Sequence, residues 1–243
     1  MSVLEEIIHS DPILILTGAG ISKESGLSTF RDPDGIWAKY RIEDVATPEA
    51  FQTNPKRVLD FYNVRRSQMN NPLIKPNKAH TALAELEAFW PGGVLLVSQN
   101  IDDLHERGGS KKIIHMHGEL SKSRCNNCDE ITYLQDNLSP ESKCDHCGFI
   151  GSIRPNVVWF GEMPLHMELI LSELGLCRLF LSIGTSGNVY PAAGFVQEAR
   201  QNGAFTVELN LEKSEVGSYF HESHYGPATD LVPEFVGKLR DLL

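Results

Sequence analysis

Three short polar stretches contain the residue types from which an active site could be built. Residues 17–22 and 99–102 each follow directly after an apolar run that is typical of a buried strand. In an open α/β sheet, ligands bind in the crevice beyond the carboxyl ends of the strands. Residues 115–118 add two histidines, whose side chains exchange protons near neutral pH. Together, the stretches predict a nucleotide cradle, an amide-and-carboxylate clamp and a base.

The glycine-rich loop at residues 17–22 departs from the dinucleotide fingerprint. Gly18 and Gly20 are present, but Lys23 stands where the third glycine belongs. No acidic residue follows a clear second strand about twenty residues later, where a ribose-binding carboxylate would lie. An ordinary dehydrogenase is therefore disfavoured. The loop can still bind phosphate through backbone N–H groups at the start of a helix, with Arg31 as a fixed positive charge.

Four of the five cysteines have the spacing of a zinc ribbon. Two Cys-x2-Cys turns, Cys125 with Cys128 and Cys144 with Cys147, are separated by fifteen residues. Four thiolates close the tetrahedron around the metal, so the predicted zinc is structural and not catalytic. Two disulfides are the alternative, which an intracellular chain disfavours. The fifth, Cys177, opens an apolar run and is predicted to be a small buried residue.

The composition narrows the class of protein. The 243 residues include 22 lysines and arginines against 32 aspartates and glutamates, a formal net charge of −10. This balance argues against nucleic acid as a partner. No apolar run approaches the ~18 residues that span a bilayer, and residues 1–6 do not begin a secretory signal. We therefore expect a cytoplasmic protein that binds neither nucleic acid nor membrane.

Strand and helix patterns alternate along the chain and predict an α/β fold. Strand-like runs lie at 13–17, 93–98, 112–116, 156–160, 178–184 and 204–209. Helical patterns lie at 55–69, 77–89, 164–174, 191–201 and 231–242. Alternation of this kind favours a Rossmann-like parallel sheet with helices on both faces. We predict that residues 1–28, 76–118 and 155–243 form this Rossmann-like domain. Residues 29–75, a helical insertion, and 119–154, the zinc-binding module, are predicted to form a small second domain.

A set of short motifs follows one order from about residue 13 to residue 230. They are Gly18-Ala19-Gly20-Ile21-Ser22, Glu24-Ser25-Gly26, Phe30-Arg31, Gln99-Asn100-Ile101-Asp102, His117-Gly118, the four cysteines, Val158-Trp159-Phe160-Gly161-Glu162, Gly184-Thr185-Ser186 and Asn210-Leu211-Glu212. This set resembles the sirtuin family, above all bacterial sirtuins related to the mitochondrial desuccinylase type. The resemblance implies an NAD-dependent protein-lysine deacylase that removes acetyl, succinyl or malonyl groups and releases nicotinamide and O-acyl-ADP-ribose. It also implies NAD as co-substrate, one structural zinc ion per chain, and acyl-lysine proteins or peptides as partners.

The resemblance also assigns site residues. His117 matches the family's base, and Asn100 and Asp102 match the groups that hold the nicotinamide ribose. The implied NAD contacts are Gly18, Ala19, Gly20, Ser22, Phe30, Arg31, Gln99, Asn100, Ile101, Asp102, Gly184, Thr185, Ser186, Asn210, Leu211, Glu212 and Ala228. His115 is the rival base, because residues two apart on a strand share a face. Hydrogen bonding within the core suits His115 better, and His80 and His105 are predicted to lie on helix surfaces or in packing.

Acyl-group recognition is implied at a second set of residues. The acyl-lysine channel matches Val158, Phe160, Gly161 and Glu162. Tyr62 and Arg65 lie at i and i+3 of one helical pattern and match the pair that binds the distal carboxylate of succinyl-lysine; Ala46 matches a small residue that widens the pocket. Arg66 is predicted to be solvated. Two other function classes remain open: a mono-ADP-ribosyltransferase and a non-catalytic zinc-ribbon interaction module.

Overall fold

The computed structural model describes residues 8–28 and 40–243, so Phe30 and Arg31 lie outside the described residues. The strands are β1 (Ile13–Thr17), β2 (Val94–Ser98), β3 (Ile113–His115), β4 (Gly118–Cys125), β5 (Ile131–Tyr133), β6 (Ile153–Val157), β7 (Leu179–Ile183), β8 (Phe205–Asn210) and β9 (Glu222–Tyr225). The helices are α1 (Gly20–Lys23), α2 (Ile42–Val45), α3 (Pro48–Thr53), α4 (Pro55–Met69), α5 (Lys78–Phe89), α6 (Leu104–Arg107), α7 (Met167–Leu176), α8 (Phe195–Gln201) and α9 (Ala228–Arg240).

Six strands form a parallel sheet in the order β3-β2-β1-β7-β8-β9. β2 and β3 lie on one side of β1, and β7, β8 and β9 lie on the other side. The direction in which successive strands are added therefore reverses between β1 and β7. The register pairs Thr17 with both Ser98 and Ile183, and Ser98 with His115. The carboxyl ends of the central strands are therefore level with one another, as the predicted crevice requires.

Helices cover both faces of this sheet, which confirms the predicted fold class. Alternate residues of β1 point to opposite faces. Ile13 and Ile15 belong to a core cluster with α5 and α9. Leu14 and Leu16 belong to a second cluster with α7 and α8. Within the described residues, no helix is both long and apolar enough to cross a membrane.

A smaller antiparallel sheet, in the order β5-β4-β6, packs against α2, α3 and α4. Here the prediction of a strand at 156–160 in the large sheet is wrong: residues 153–157 form β6 of the small sheet. β4 and β5 lie almost entirely within residues 119–154, for which the sequence predicts no strand. The residues of β4 are mostly polar, and a bulge between Glu119 and Ser123 interrupts the alternation. The boundaries of the two predicted domains stay a prediction.

Candidate active site

Ser22 connects the loop after β1 to the loop after β2. Its hydroxyl donates to Oδ2 of Asp102 at 3.1 Å and accepts from Nδ2 of Asn100 at 3.1 Å. The other Asp102 oxygen accepts from the backbone N–H of Leu104 at 3.1 Å. All three side chains of this cluster are buried, and burial raises the pKa of Asp102 above its ordinary value. The predicted clamp residues therefore lie together, and their orientations are fixed by one another.

Residues 115–120 bind three successive carbonyls of the loop that carries the clamp. Nδ1 of His117 lies 3.0 Å from the carbonyl oxygen of Gln99, and Nδ1 of His115 lies 3.3 Å from that of Asn100. The backbone N–H of Leu120 donates to the carbonyl of Ile101 at 2.9 Å. The two histidines thus share a face, as their spacing predicts. The loop is held along its whole length by one segment.

His117 has the protonation state of a base. A carbonyl only accepts, so Nδ1 must carry the proton, and in the neutral ring Nε2 is then left with its lone pair. Burial lowers the pKa of His117 below its ordinary value, although the bond to Gln99 opposes this effect. Near neutral pH the ring is therefore uncharged and able to take a proton at Nε2.

A glycine is required directly after His117. Gly118 has a φ of +79°, in the left-handed region. A Cβ at this position would lie 2.1 Å from the carbonyl oxygen of Asn156, in the paired strand β6. The chain can therefore turn at Gly118 from the large sheet into the small one, and His117 lies at that turn.

The glycine loop packs backbone to backbone against the end of β7. A Cβ on Gly20 would lie 2.7 Å from Cα of Gly184, and one on Gly18 would lie 2.8 Å from the Gly184 carbonyl oxygen. The N–H groups of Gly18, Gly20, Ile21 and Ser22 all donate to protein carbonyls at 2.9–3.2 Å. The glycines are thus needed for the junction of two strand ends. Since these four donors are already used, the predicted phosphate cradle needs other groups.

Polar groups that could meet a nucleotide lie at the ends of β7 and β8. Asn210 donates from Nδ2 to the carbonyl of Thr185 at 2.7 Å, which ties the two strand ends together. Ser186 is half-buried beside them, and Leu211 and Glu212 follow as exposed residues. Ala228 is the first residue of α9, just after Gly226, whose N–H donates to Asn210 at 2.9 Å.

The predicted acyl-group residues form one wall beside the clamp. The N–H of Phe160 donates to the carbonyl of Ala46 at 3.0 Å, and the N–H of Val158 donates to that of His117 at 2.9 Å. Gly161 is exposed, with a φ of +90°. Phe160, at 44% exposure, is accessible as well. The segment that resembles an acyl-lysine channel is therefore hydrogen-bonded, at Val158, to the backbone of the predicted base.

Tyr62 and Arg65 also belong to this wall. Tyr62 is buried, its ring centroid lies 6.3 Å from that of Trp159, and burial raises the pKa of its hydroxyl. Burial lowers the pKa of Arg65, an effect that the neighbouring Tyr62 and Asp102 oppose. Arg65 is therefore near both the phenol and the clamp carboxylate.

The carboxylate of Glu162 is hydrogen-bonded within the protein. It accepts two hydrogen bonds from Arg154, at 2.6 and 2.9 Å, and one from the backbone N–H of Trp159 at 2.8 Å. Arg154 is buried, with its guanidinium carbon 3.2 Å from the centroid of the Trp159 ring. The Glu162 carboxylate thus shapes the 158–162 turn. Arg154, which the sequence analysis missed, holds it there.

The four ribbon cysteines converge on one point. Sγ of Cys125 lies 3.7 Å from Sγ of Cys147, Sγ of Cys128 lies 3.7 Å from Sγ of Cys144, and all four lie within 4.8 Å of one another. A disulfide would need about 2.05 Å. Zinc–sulfur bonds of about 2.3 Å in a tetrahedron place the sulfurs about 3.8 Å apart. The four thiols therefore fit one zinc ion.

Two buried polar side chains, Arg66 and Ser98, were not correctly predicted from the sequence. Arg66 is buried, not solvated as predicted, because it donates to the carbonyl of Leu134 at 3.2 Å and to Oδ1 of Asn137 at 3.0 Å. Ser98 was missed, and its hydroxyl accepts from the Asn100 N–H at 3.1 Å. Its position as the last residue of a strand before the clamp could have identified it.

Comparison with known proteins agrees with this geometry. Residues 18–191 match the model of the Sir2 family. An NAD-dependent protein deacylase of Salmonella typhimurium is 57% identical over 236 residues, covering 97% of this chain and 86% of that protein. A solved Sir2 homolog–NAD complex has a TM-score of 0.89 at 37% identity, covering 100% of this chain and 95% of the other. A solved Sir2 bound to acetylated peptide has a TM-score of 0.79 at 29% identity, covering 94% and 92%. The predicted resemblance is confirmed, and the chain belongs to the Sir2 family.

Proposed function

We propose that the chain is an NAD-dependent protein-lysine deacylase that releases nicotinamide and O-acyl-ADP-ribose. The observation that carries the proposal is the joint geometry of base and clamp. Neutral His117 is bonded through Nδ1 to the same loop that presents Asn100 and Asp102. The relative named as an NAD-dependent protein deacylase and the neighbour solved with NAD support this reading.

In this mechanism, the amide oxygen of acyl-lysine would form a bond to the ribose carbon of NAD as the bond from that carbon to nicotinamide breaks. Asn100 and Asp102 would hold the carboxamide and ribose, and Ser22 fixes both side chains. His117 accepts the ribose hydroxyl proton at Nε2, either directly or through the neighbouring hydroxyl. The remaining proposed NAD contacts in the described residues are Gly18, Ala19, Gly20, Gln99, Ile101, Gly184, Thr185, Ser186, Asn210, Leu211, Glu212 and Ala228. Phe30 and Arg31, outside the described residues, stay proposed contacts by resemblance alone.

The proposed partner is an acyl-lysine protein or peptide. Val158, Phe160 and Gly161 form its channel, and the extended peptide adds beside this segment through backbone hydrogen bonds. Glu162 supports the channel indirectly, through the turn that it shapes. The neighbour solved with an acetylated peptide supports this class of substrate. Cytoplasmic location stays a prediction.

The proposed acyl groups include succinyl and malonyl as well as acetyl. Tyr62 and Arg65 provide a phenol and a guanidinium beside the clamp, and a guanidinium binds a carboxylate through two parallel hydrogen bonds. Ala46 is small, so the pocket keeps room for the longer acyl chain. Acetyl-lysine also fits, because a wide pocket does not exclude a small group.

The test is product analysis by mass spectrometry after incubation with NAD and a mixed library of acetyl-, succinyl- and malonyl-lysine peptides. Deacylation predicts equal amounts of free-lysine peptide, nicotinamide and O-acyl-ADP-ribose. Peptide that gains ADP-ribose and keeps its acyl group would instead identify a mono-ADP-ribosyltransferase. If NAD remained intact with every peptide, the result would favour a non-catalytic zinc-ribbon interaction module.

A further inference from the structure

His115 lies between two hydrogen-bond acceptors, one in the loop that carries the clamp and the other in α6. Its Nε2 lies 2.5 Å from Oε1 of Glu106, and its Nδ1 lies 3.3 Å from the carbonyl oxygen of Asn100. A neutral imidazole has only one N–H and satisfies one acceptor, whereas an imidazolium has two. Only the charged ring can therefore donate to both acceptors at once, in contrast to neutral His117, which has one.

Glu106 is the group that stabilises this charge. The other charged or titratable side chains around the pair are Asp102, His105, Glu119 and Lys122. Glu119 is already bound by Lys122 at 2.6 Å, and Asp102 accepts from Ser22 and Leu104. Only Glu106 among them is hydrogen-bonded to the His115 ring. The His115 side chain is 8% exposed and that of Glu106 is 37% exposed, so solvent reaches the carboxylate and not the ring.

The Asn100 carbonyl that His115 binds is part of the clamp. The side chain of the same residue donates to Ser22, and its N–H donates to Ser98. A lost bond at this carbonyl frees the peptide plane between the two clamp residues. We propose that Glu106 and His115 are positioning residues, whose ion pair holds the Gln99–Asp102 loop in the conformation that binds NAD. The inference rests on the proposed function for its kinetic consequences, but the pair and its effect on NAD affinity can be measured without deacylation.

The pair predicts an alkaline limit to activity. Burial lowers the pKa of His115, but the hydrogen bond and charge of Glu106 outweigh burial and raise the pKa above its ordinary value. The ring is charged below this raised pKa and loses a donor as the pH rises through it. Activity then rises on the acid side as His117 becomes neutral, and it falls on the alkaline side as His115 becomes neutral.

The test compares Glu106→Gln with the matched control Glu119→Gln, which removes a nearby carboxylate that is not bonded to His115. In Glu106→Gln, the His115 ring is neutral and offers the Asn100 carbonyl only an uncharged donor, so we expect NAD affinity by calorimetry to fall about ten-fold at mildly alkaline pH. The alkaline limb of kcat/KM for NAD should move to lower pH, with KM for the acyl-peptide unchanged. Glu106→Asp should restore part of the affinity. Glu119→Gln should move the alkaline limb much less than Glu106→Gln, because the Glu119 charge raises the pKa of His115 less than the hydrogen-bonded Glu106 does.

Nitrogen-15 NMR of histidine-labelled protein gives a second readout. Both ring nitrogens of His115 should carry protons near neutral pH in the parent protein, and one should lose its proton in Glu106→Gln. A neutral His115 in the parent protein, or Glu106→Gln with unchanged NAD affinity and pH profile, would overturn the inference. A parent protein that binds NAD but removes no acyl group would instead contradict the proposed function.

Discussion

His115 and His117 have the same side chain, lie two residues apart, and bond to adjacent carbonyls, yet their pKa values are shifted in opposite directions. The difference comes from the second ring nitrogen. That of His115 meets the Glu106 carboxylate, which raises the pKa of His115 despite burial. His117 has no hydrogen bond to a carboxylate among the described residues, and burial lowers its pKa. Spacing could show that both point the same way, but it could not show which ring is neutral, since Glu106 lies in a separate helix.

The first residue-scale prediction concerns His117. His117→Ala should keep NAD affinity within a few fold, because Ser22, Asn100 and Asp102 are untouched. Its kcat should fall by about 10²–10⁴-fold, the usual loss for a general base. Single-turnover kinetics with acetyl-peptide and calorimetry with NAD check the two parts. His115→Asn should lose much less kcat than His117→Ala. The reverse order would show that the base is assigned to the wrong histidine.

The second residue-scale prediction concerns Arg65. Arg65→Met removes the guanidinium and keeps most of the apolar stem. KM for succinyl-peptide should rise by about 10–100-fold, equivalent to the ~1.5–3 kcal/mol of a hydrogen bond to a charged group. KM for acetyl-peptide should stay nearly constant. Arg57→Met on the same helix α4 is the control, because Arg57 pairs with Asp44 at 2.9 Å near the surface. An equal rise in KM for both peptides would show that Arg65 stabilises the fold or the NAD site and does not recognise the acyl group.

At the scale of elements, apolar patterns predicted five of the six strands of the large sheet and failed for the small sheet. Residues 55–69 were predicted as a helix and form α4, because Asn54 caps the first turn and Pro55 suits its first position. β4 is mostly polar, and its alternation is broken by a bulge. β9 is a short polar strand at the sheet edge and gave no apolar signal. Arg66 was wrongly predicted to be solvated for a different reason. Its hydrogen-bond partners, Leu134 and Asn137, are distant in the sequence and meet Arg66 only in the folded chain.

The element-scale prediction concerns the zinc module. β4 is mostly polar and β5 is exposed, so the module has little apolar core of its own and metal binding should contribute much of its folding energy. Cys128→Ala should lower zinc content below one per chain. A loss of about 4 kcal/mol would lower Tm by roughly 8–16 °C in a chain of this size. Metal analysis and calorimetric unfolding measure both. Cys177→Ala, outside the cluster, should keep its zinc. A zinc-free Cys128→Ala that is stable and fully active would contradict a structural role.

At the scale of the whole molecule, two buried histidines should make folding sensitive to acid. His80 and His105 are 0% and 1% exposed, and their ring centroids lie 4.8 Å apart. Burial lowers the pKa of His80 to about 4. Burial, together with the charges of His80 and His115, lowers the pKa of His105 well below its ordinary value. The sequence allowed a packing role for both residues, and this is confirmed. Their proximity could not be predicted, because one lies in α5 and the other in α6.

The whole-molecule prediction is a loss of stability between about pH 6.5 and pH 4. Above the unfolded pKa of about 6.5, neither state binds a proton at His80, so the full stability is present. Below it, the unfolded chain binds a proton that the folded chain refuses until the pH nears its folded pKa of about 4. The free energy of unfolding should then fall by about 1.4 kcal/mol per pH unit from His80 alone, roughly 3 kcal/mol in all. His115, with its raised pKa, acts in the opposite sense.

Urea unfolding at a series of pH values measures the slope. His80→Gln should reduce the slope by about one proton, whereas His9→Gln, at an exposed position, should leave it unchanged. An identical slope in His80→Gln would show that His80 is not held neutral by the fold.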